Sequence, residues 1–228
     1  MSGYLLAIDT STSEGAIALS RGGKHLAART FRAREGHSAM LLPEIDGMLE
    51  EAGVVPAELG AVAIAGGPGS FTGLRVAAAT AKGLAHARGI EVYAYSSLLA
   101  IAGAARESGP VCALLDARRD EVFHATYRLD GGVEILTEPG VADIDEVLLA
   151  APPETAFTGP GAVRHAVRIG AVLGETALAE PRRSTAEVLL DLVRDDPASG
   201  RLDDPADWEP DYLRASGAER IRAAAADH

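Results

Sequence analysis

The stretch Ala61-Val62-Ala63-Ile64-Ala65-Gly66-Gly67-Pro68-Gly69-Ser70-Phe71-Thr72-Gly73-Leu74-Arg75 decides how the chain is read. Its first five residues form a short apolar run with the character of a buried strand. A glycine-rich turn follows, and then Val76-Ala77-Ala78-Ala79-Thr80-Ala81-Lys82-Gly83-Leu84-Ala85, whose small residues suit a closely packed helix. A buried strand, a tight turn and a helix make up a βα unit of an α/β fold. Glycine lets a backbone come close to a ligand, and a helix start offers unpaired N–H groups to an anion. The turn therefore has two readings, a capped βα turn or a phosphate site built on Gly67, Gly69 and Ser70. It is not a Walker loop, because no Gly-Lys-Ser/Thr closes it. It is not a dinucleotide fingerprint either, because position 72 is threonine.

Upstream, residues 4–8 form an apolar strand that ends at Asp9. Residues 16–19 and 26–31 read as two more strands, joined by a Gly22-Gly23 hairpin. A helix follows, with Ser38 as its cap and Leu41, Ile45, Met48 and Leu49 at helical spacing; Pro43 suits only its first turn. Downstream, helical character runs over 74–87, strand character over 92–95 and helical character over 98–106. The first half thus has the order βββαβαβα.

The second half repeats it. Residues 111–115 form an apolar strand ending at Asp116, and residues 122–129 a second strand. Asp130-Gly131-Gly132 turns the chain into 133–136. Helical character at 144–149 precedes a strand at 156–158 and a turn, Gly159-Pro160-Gly161. A helix at 185–193 carries Glu187 in its first turn. Residues 195–207 read as a loop and 217–228 as a frayed tail. The pattern describes an α/β chain of two tandem ribonuclease-H-like subdomains, 1–106 and 107–228, facing each other across a cleft in the actin-like (ASKHA) manner. Ligands of such sheets bind beyond the carboxyl ends of the strands, where Asp9, Asp116, Gly159 and Gly161 would lie. Either aspartate suits a turn-capping role or the orientation of metal-bound water at a nucleotide phosphate.

The 228 residues carry a formal net charge of −12, and the lysines are Lys24 and Lys82 alone. No basic patch of the kind a free-standing nucleic-acid binder shows is present. The start of the chain lacks the basic region of a signal peptide, and no run of residues suits a membrane span. The single cysteine, Cys112, fits a reducing cytoplasm and reads as a buried apolar residue. None of the six histidines pair at i, i+4, and no Gly-x-Ser-x-Gly elbow occurs, so metal and triad chemistry find little support. One face of the small-residue helix after the glycine turn must cover its own sheet; the other suits either a subunit contact, together with the helix bearing Leu41, Leu42 and Ile45, or ordinary packing within the chain. His37 reads as a helix-entry or interface residue.

These residues resemble the TsaB (YeaZ) family. The resemblance rests on Leu6-Ala7-Ile8-Asp9-Thr10-Ser11, on His37-Ser38 with Leu41-Leu42-Pro43, and above all on the 67–75 block. It extends through Ala81-Lys82-Gly83-Leu84-Ala85, Ser96-Ser97-Leu98, Asp116-Ala117-Arg118-Arg119 and Pro210-x-Tyr212-Leu213-Arg214. It implies an actin-like fold and a part in making N6-threonylcarbamoyladenosine at position 37 of tRNAs that read codons starting with A. It implies a non-catalytic subunit that binds a TsaD-type transferase, with a TsaE-type ATPase joining them and tRNA reached only through the complex. It further implies a homodimer when alone, through the surface assigned here to His37, Leu41, Leu42, Ile45, Arg75, Ala78 and Lys82. No cofactor is expected in the chain itself; ATP or ADP with magnesium is expected at the interface with its partners. The catalytic relative carries a His-x-x-x-His pair where this chain has Ser97 and Ile101, and neither can replace an imidazole at a metal. A small kinase or ATPase of the same fold, and more weakly a peptidase, are the competing readings.

Overall fold

A computed structural model of the chain describes residues 3–32, 36–105, 108–118 and 120–213. The first half contains β1 (Tyr4–Asp9), β2 (Glu14–Arg21), β3 (Lys24–Arg32), α1 (His37–Glu51), β4 (Leu59–Ala65), α2 (Phe71–Arg88), β5 (Glu91–Tyr95) and α3 (Ser97–Ala105). The second contains β6 (Pro110–Arg118), β7 (Glu121–Arg128), β8 (Glu134–Asp143), α4 (Ile144–Ala150), β9 (Ala156–Thr158), α5 (Pro160–Arg164), α6 (Ala166–Leu173), α7 (Thr185–Asp195) and α8 (Pro197–Gly200).

The first sheet has the order β3-β2-β1-β4-β5, and the second the order β8-β7-β6-β9. In each, a three-stranded antiparallel meander is extended by a parallel strand: β4 beside β1, and β9 beside β6. The two halves are therefore the ribonuclease-H-like pair expected. The repeat is shorter in the second half, however. Among the described residues no fifth strand follows β9; a single parallel bridge from Leu178 to Phe157 stands in its place.

Alternation along the strands sets the layers, because successive side chains point to opposite faces of a sheet. Leu6, Ile8, Ile17, Leu19, Val62 and Ile64 fill one face and pack under α1 and α2. The other face is built of Ala7, Ala16, Ala18, Ala61, Ala63 and Ala65. These short side chains let a helix come close, and the helix that does so is α7, through Ala186, Leu189, Leu190 and Val193. A chain-order division at 106/107 puts α7 with the second half, yet its contacts run along β1, β2 and β4 of the first sheet. Helix α3 lies between the sheets: Leu98, Ile101, Ala102 and Ala105 pack on β6 and β7. Within α3, Gly103 makes room for Val188 of α7.

Several expectations are corrected at element ends. Helix α2 starts at Phe71, not 74, because the Ser70 hydroxyl accepts from Gly73 N–H at 3.3 Å and caps it. Ser38 is not the cap of α1: the helix starts at His37, preceded by Gly36 at φ 93°, and no side chain caps it. Pro43 lies inside α1 rather than in its first turn, on the exposed side. Helix α7 carries the full capping box: Ser184 Oγ accepts from Glu187 N–H, and Glu187 Oε2 accepts from Ser184 N–H at 2.9 Å. Part of the 195–207 stretch expected as loop is α8, capped by Asp196. The 217–228 tail, Arg119, Arg214 and the boundary residue 106 lie outside the described residues. Among those described, no helix is long and apolar enough to cross a membrane.

Candidate functional site

A cleft of about 930 Å³ opens where the turns after β1 and β4 meet the end of β6 and the start of α5. Of the residues assigned to a phosphate site, Gly69, Ser70 and Asp116 line it, while Asp9, Gly67, Gly159 and Gly161 do not. Asp9 is buried, and its Oδ1 accepts from Ser11 N–H at 2.8 Å, closing the turn after β1. Asp116 repeats the device: Oδ1 accepts from Arg118 N–H at 2.9 Å, and Oδ2 takes the Arg164 guanidinium at 3.3 Å. Both aspartates thus act as turn-formers.

The glycines of the deciding stretch also have neighbours from their own chain. A Cβ on Gly69 would stand 2.5 Å from the Ser11 carbonyl oxygen. One on Gly73 would overlap the Thr10 carbonyl oxygen, and one on Gly67 the Asp211 carbonyl oxygen. The Thr10 hydroxyl in turn donates to Gly73 O at 2.7 Å. Gly67 is further held by Ser97, which accepts from its N–H through Oγ at 3.1 Å and donates its own N–H to Gly67 O at 2.8 Å. In the second half, Gly159 and Gly161 leave room for Leu114 of β6. The capped-turn reading accounts for every one of these glycines.

The interface assignment divides by helix face. Leu41 and Ile45 are core residues under α1, 1 % and 5 % exposed, and are not available to a partner. Ala78 and His37 are buried too; His37 Nε2–H donates to the Thr12 carbonyl at 2.7 Å. Leu42, 56 % exposed, and Arg75 do face solvent. Arg75 and Lys82 are engaged within the chain. Arg75 lies 4.1 Å over the Phe71 ring and donates to Tyr212 OH at 3.4 Å. Lys82 donates to Ala206 O at 3.0 Å and meets Glu209 at 3.3 Å. Residues 211–213, which line the cleft, were missed as part of the site. The one tryptophan, Trp208, and Tyr212 in an acidic, proline-bearing stretch were the signal, since aromatic side chains rarely sit in such a stretch without packing on something.

Ser97 and Ile101 are both buried on α3. Burial pushes the Cys112 thiol up to about 12, partly offset by a hydrogen bond with Thr126, which keeps it an uncharged core group.

The TsaB protein of Bacillus subtilis is 31 % identical over 229 residues, which span 94 % of this chain and 96 % of that protein. The chain belongs to the TsaB family. YeaZ from Pseudomonas aeruginosa has the same fold, with a TM-score of 0.77 at 31 % identity, over 92 % of this chain and 100 % of that one. An uncharacterized protein of Mycobacterium leprae is 37 % identical over 188 residues; the chain spans about half its length, 50 %. The family model described as TsaD, tRNA N6-adenosine threonylcarbamoyltransferase, matches residues 31–175, more than half of the chain. Ethanolamine utilization protein EutJ from Carboxydothermus hydrogenoformans shares the fold alone, with a TM-score of 0.50 at 13 % identity. This TsaB-family chain is therefore an actin-like α/β protein whose TsaD-matching part runs from β3 through α6.

Proposed function

We propose that this chain takes part in forming N6-threonylcarbamoyladenosine in tRNA as a non-catalytic subunit that binds a TsaD-type transferase. One observation carries the reading: likeness to the Bacillus subtilis tRNA threonylcarbamoyladenosine biosynthesis protein TsaB runs over nearly the whole of both chains. Three features support it. Ser97 and Ile101, at the positions of the transferase's paired imidazoles, are packed into the core. The charge of −12 leaves contact with tRNA phosphates to another chain. The outer face of α1 and α2 offers Leu42 beside small exposed residues, and above Gly83 nothing stands within 4 Å, so a partner helix has room there.

In this reading the chain works in the cytoplasm and pairs with itself through the same face when alone. A TsaE-type ATPase joins the complex, and ATP or ADP with magnesium sits at the contacts between subunits rather than in this chain.

Light scattering of the chain alone, and mixed with the TsaD-type protein of the same organism, tests the reading. A mixed complex that forms with wild type and is lost with Leu42→Asp is the expected result. If none forms, even with ATP and the ATPase added, the reading fails. The cleft between the halves then gives the nucleotide-hydrolase reading its test, with Asp9→Ala as the control.

A further inference from the structure

Beyond α8 the chain turns back across the first half, and its contacts change in kind along the way. The inner part is anchored by backbone pairing and apolar burial. Leu202 N–H donates to Val92 O at 2.9 Å beside β5, and Arg201 bridges Tyr93. Trp208 packs against the cluster under α1 and α2, with a ring carbon 3.1 Å from where a Cβ on Gly66 would stand. Pro210 is buried.

The outer part is held by a few small contacts at the mouth of the cleft. Asp211 N–H donates to Gly66 O at 2.8 Å. The Tyr212 ring lies 4.9 Å from that of Phe71, and its hydroxyl accepts from Arg75 Nε. Leu213 rests on the cluster formed by α3, β6 and β7. Residues 211–213 thus cross from the first half to the core of the second, and all three line the cleft.

We propose that residues 211–213 are a releasable latch over the cleft, opening as a unit beyond Pro210 while Leu202 and Trp208 stay anchored. Opening uncovers the Phe71 ring at the start of α2 and frees Arg75 for another contact. The physical ground is the contrast in strength. The inner part has a half-buried indole packed on the core, a buried proline and a strand-edge hydrogen bond. Beyond Pro210 there remain one backbone hydrogen bond, one tilted ring pair, one exposed side-chain hydrogen bond and the half-buried Leu213, few enough contacts to open locally. The latch is a property of this chain alone and stands or falls separately from the partner reading.

Hydrogen exchange on the full chain, wild type against Tyr212→Ala, tests it, with Trp208 as a built-in fluorescent reporter of the anchor. The Asp211 amide should exchange about tenfold faster in the variant, the factor that about 1.4 kcal/mol of lost contact gives. The Leu202 amide and acrylamide quenching of Trp208 should stay within roughly twofold of wild type. Arg75→Ala should give the same division with a smaller acceleration. Unchanged exchange at Asp211 would show that Tyr212 holds nothing shut, and the proposal would fail. Equal loss of protection at Leu202 and Trp208 would show a strap that leaves only with the fold, and the proposal would fail as well.

Discussion

Replacing Gly73 by alanine is expected to cost stability although it lies in a helix, where alanine is the better helix former. The reason lies 63 positions away in sequence. The Thr10 hydroxyl donates to Gly73 O, and the Thr10 carbonyl oxygen occupies the place a Cβ would take. Overpacking of this kind costs about 1–3 kcal/mol. Loss of the buried hydrogen bond adds about 1 kcal/mol, and the better propensity of alanine returns about 1 kcal/mol. A net loss of about 1–3 kcal/mol follows, or about 2–12 °C in Tm for a chain of this size. Gly83 supplies the control: it lies in the same helix with nothing within 4 Å of its Cβ position. Gly83→Ala should gain about 0.5–1 kcal/mol. Urea unfolding followed through Trp208, with calorimetry for Tm, measures both. If Gly73→Ala is as stable as wild type, or if the two variants move together, the close approach of α2 to the β1 turn is not what the glycine is for.

Three more outcomes are expected. Leu41→Asp places a charge in the core and should lose about 3–5 kcal/mol, whereas its neighbour Leu42→Asp should stay within about 0.5 kcal/mol of wild type and lose only association; thermal scans and light scattering separate the two. The Cys112 thiol, raised by burial, should not react with a disulfide reagent at neutral pH until the chain unfolds, so its modification rate should follow denaturant. The Asp191 carboxyl is disfavoured as an ion by burial, but the Arg183 hydrogen bond and the charges of Arg183, Arg194 and His25 outweigh this and hold it below the usual carboxylate range. Its stabilisation is therefore full above the unfolded carboxylate value of about 4 and is lost as pH falls through the lower folded value. Acid titration of stability should be flatter in Asp191→Asn, which should also cost about 2 kcal/mol at neutral pH.

The sequence by itself determined the elements and their faces. Large and small residues alternate through β1 and β2, so the two layers of the first sheet are written in the strands: Leu6, Ile8, Ile17 and Leu19 against Ala7, Ala16 and Ala18. The spacing of Leu41, Ile45, Met48 and Leu49 marked the buried face of α1, and all four are buried. Assigning Leu41 and Ile45 to an interface went against that spacing, which leaves Leu42 as the outward residue. The motif series from Asp9 to Tyr212 carried the family. Only the tertiary structure decided which element covers which face. The alanine layer needs a close helix, but nothing local says that the helix is α7, more than a hundred residues downstream. Nor could the glycine-rich turn reveal that its neighbours are the turn after β1 and the carbonyl of Asp211. Periodicity is a property of one element and fixes the direction of its side chains. The partner met in that direction is set by packing the whole chain, and that information is spread over residues far apart in sequence.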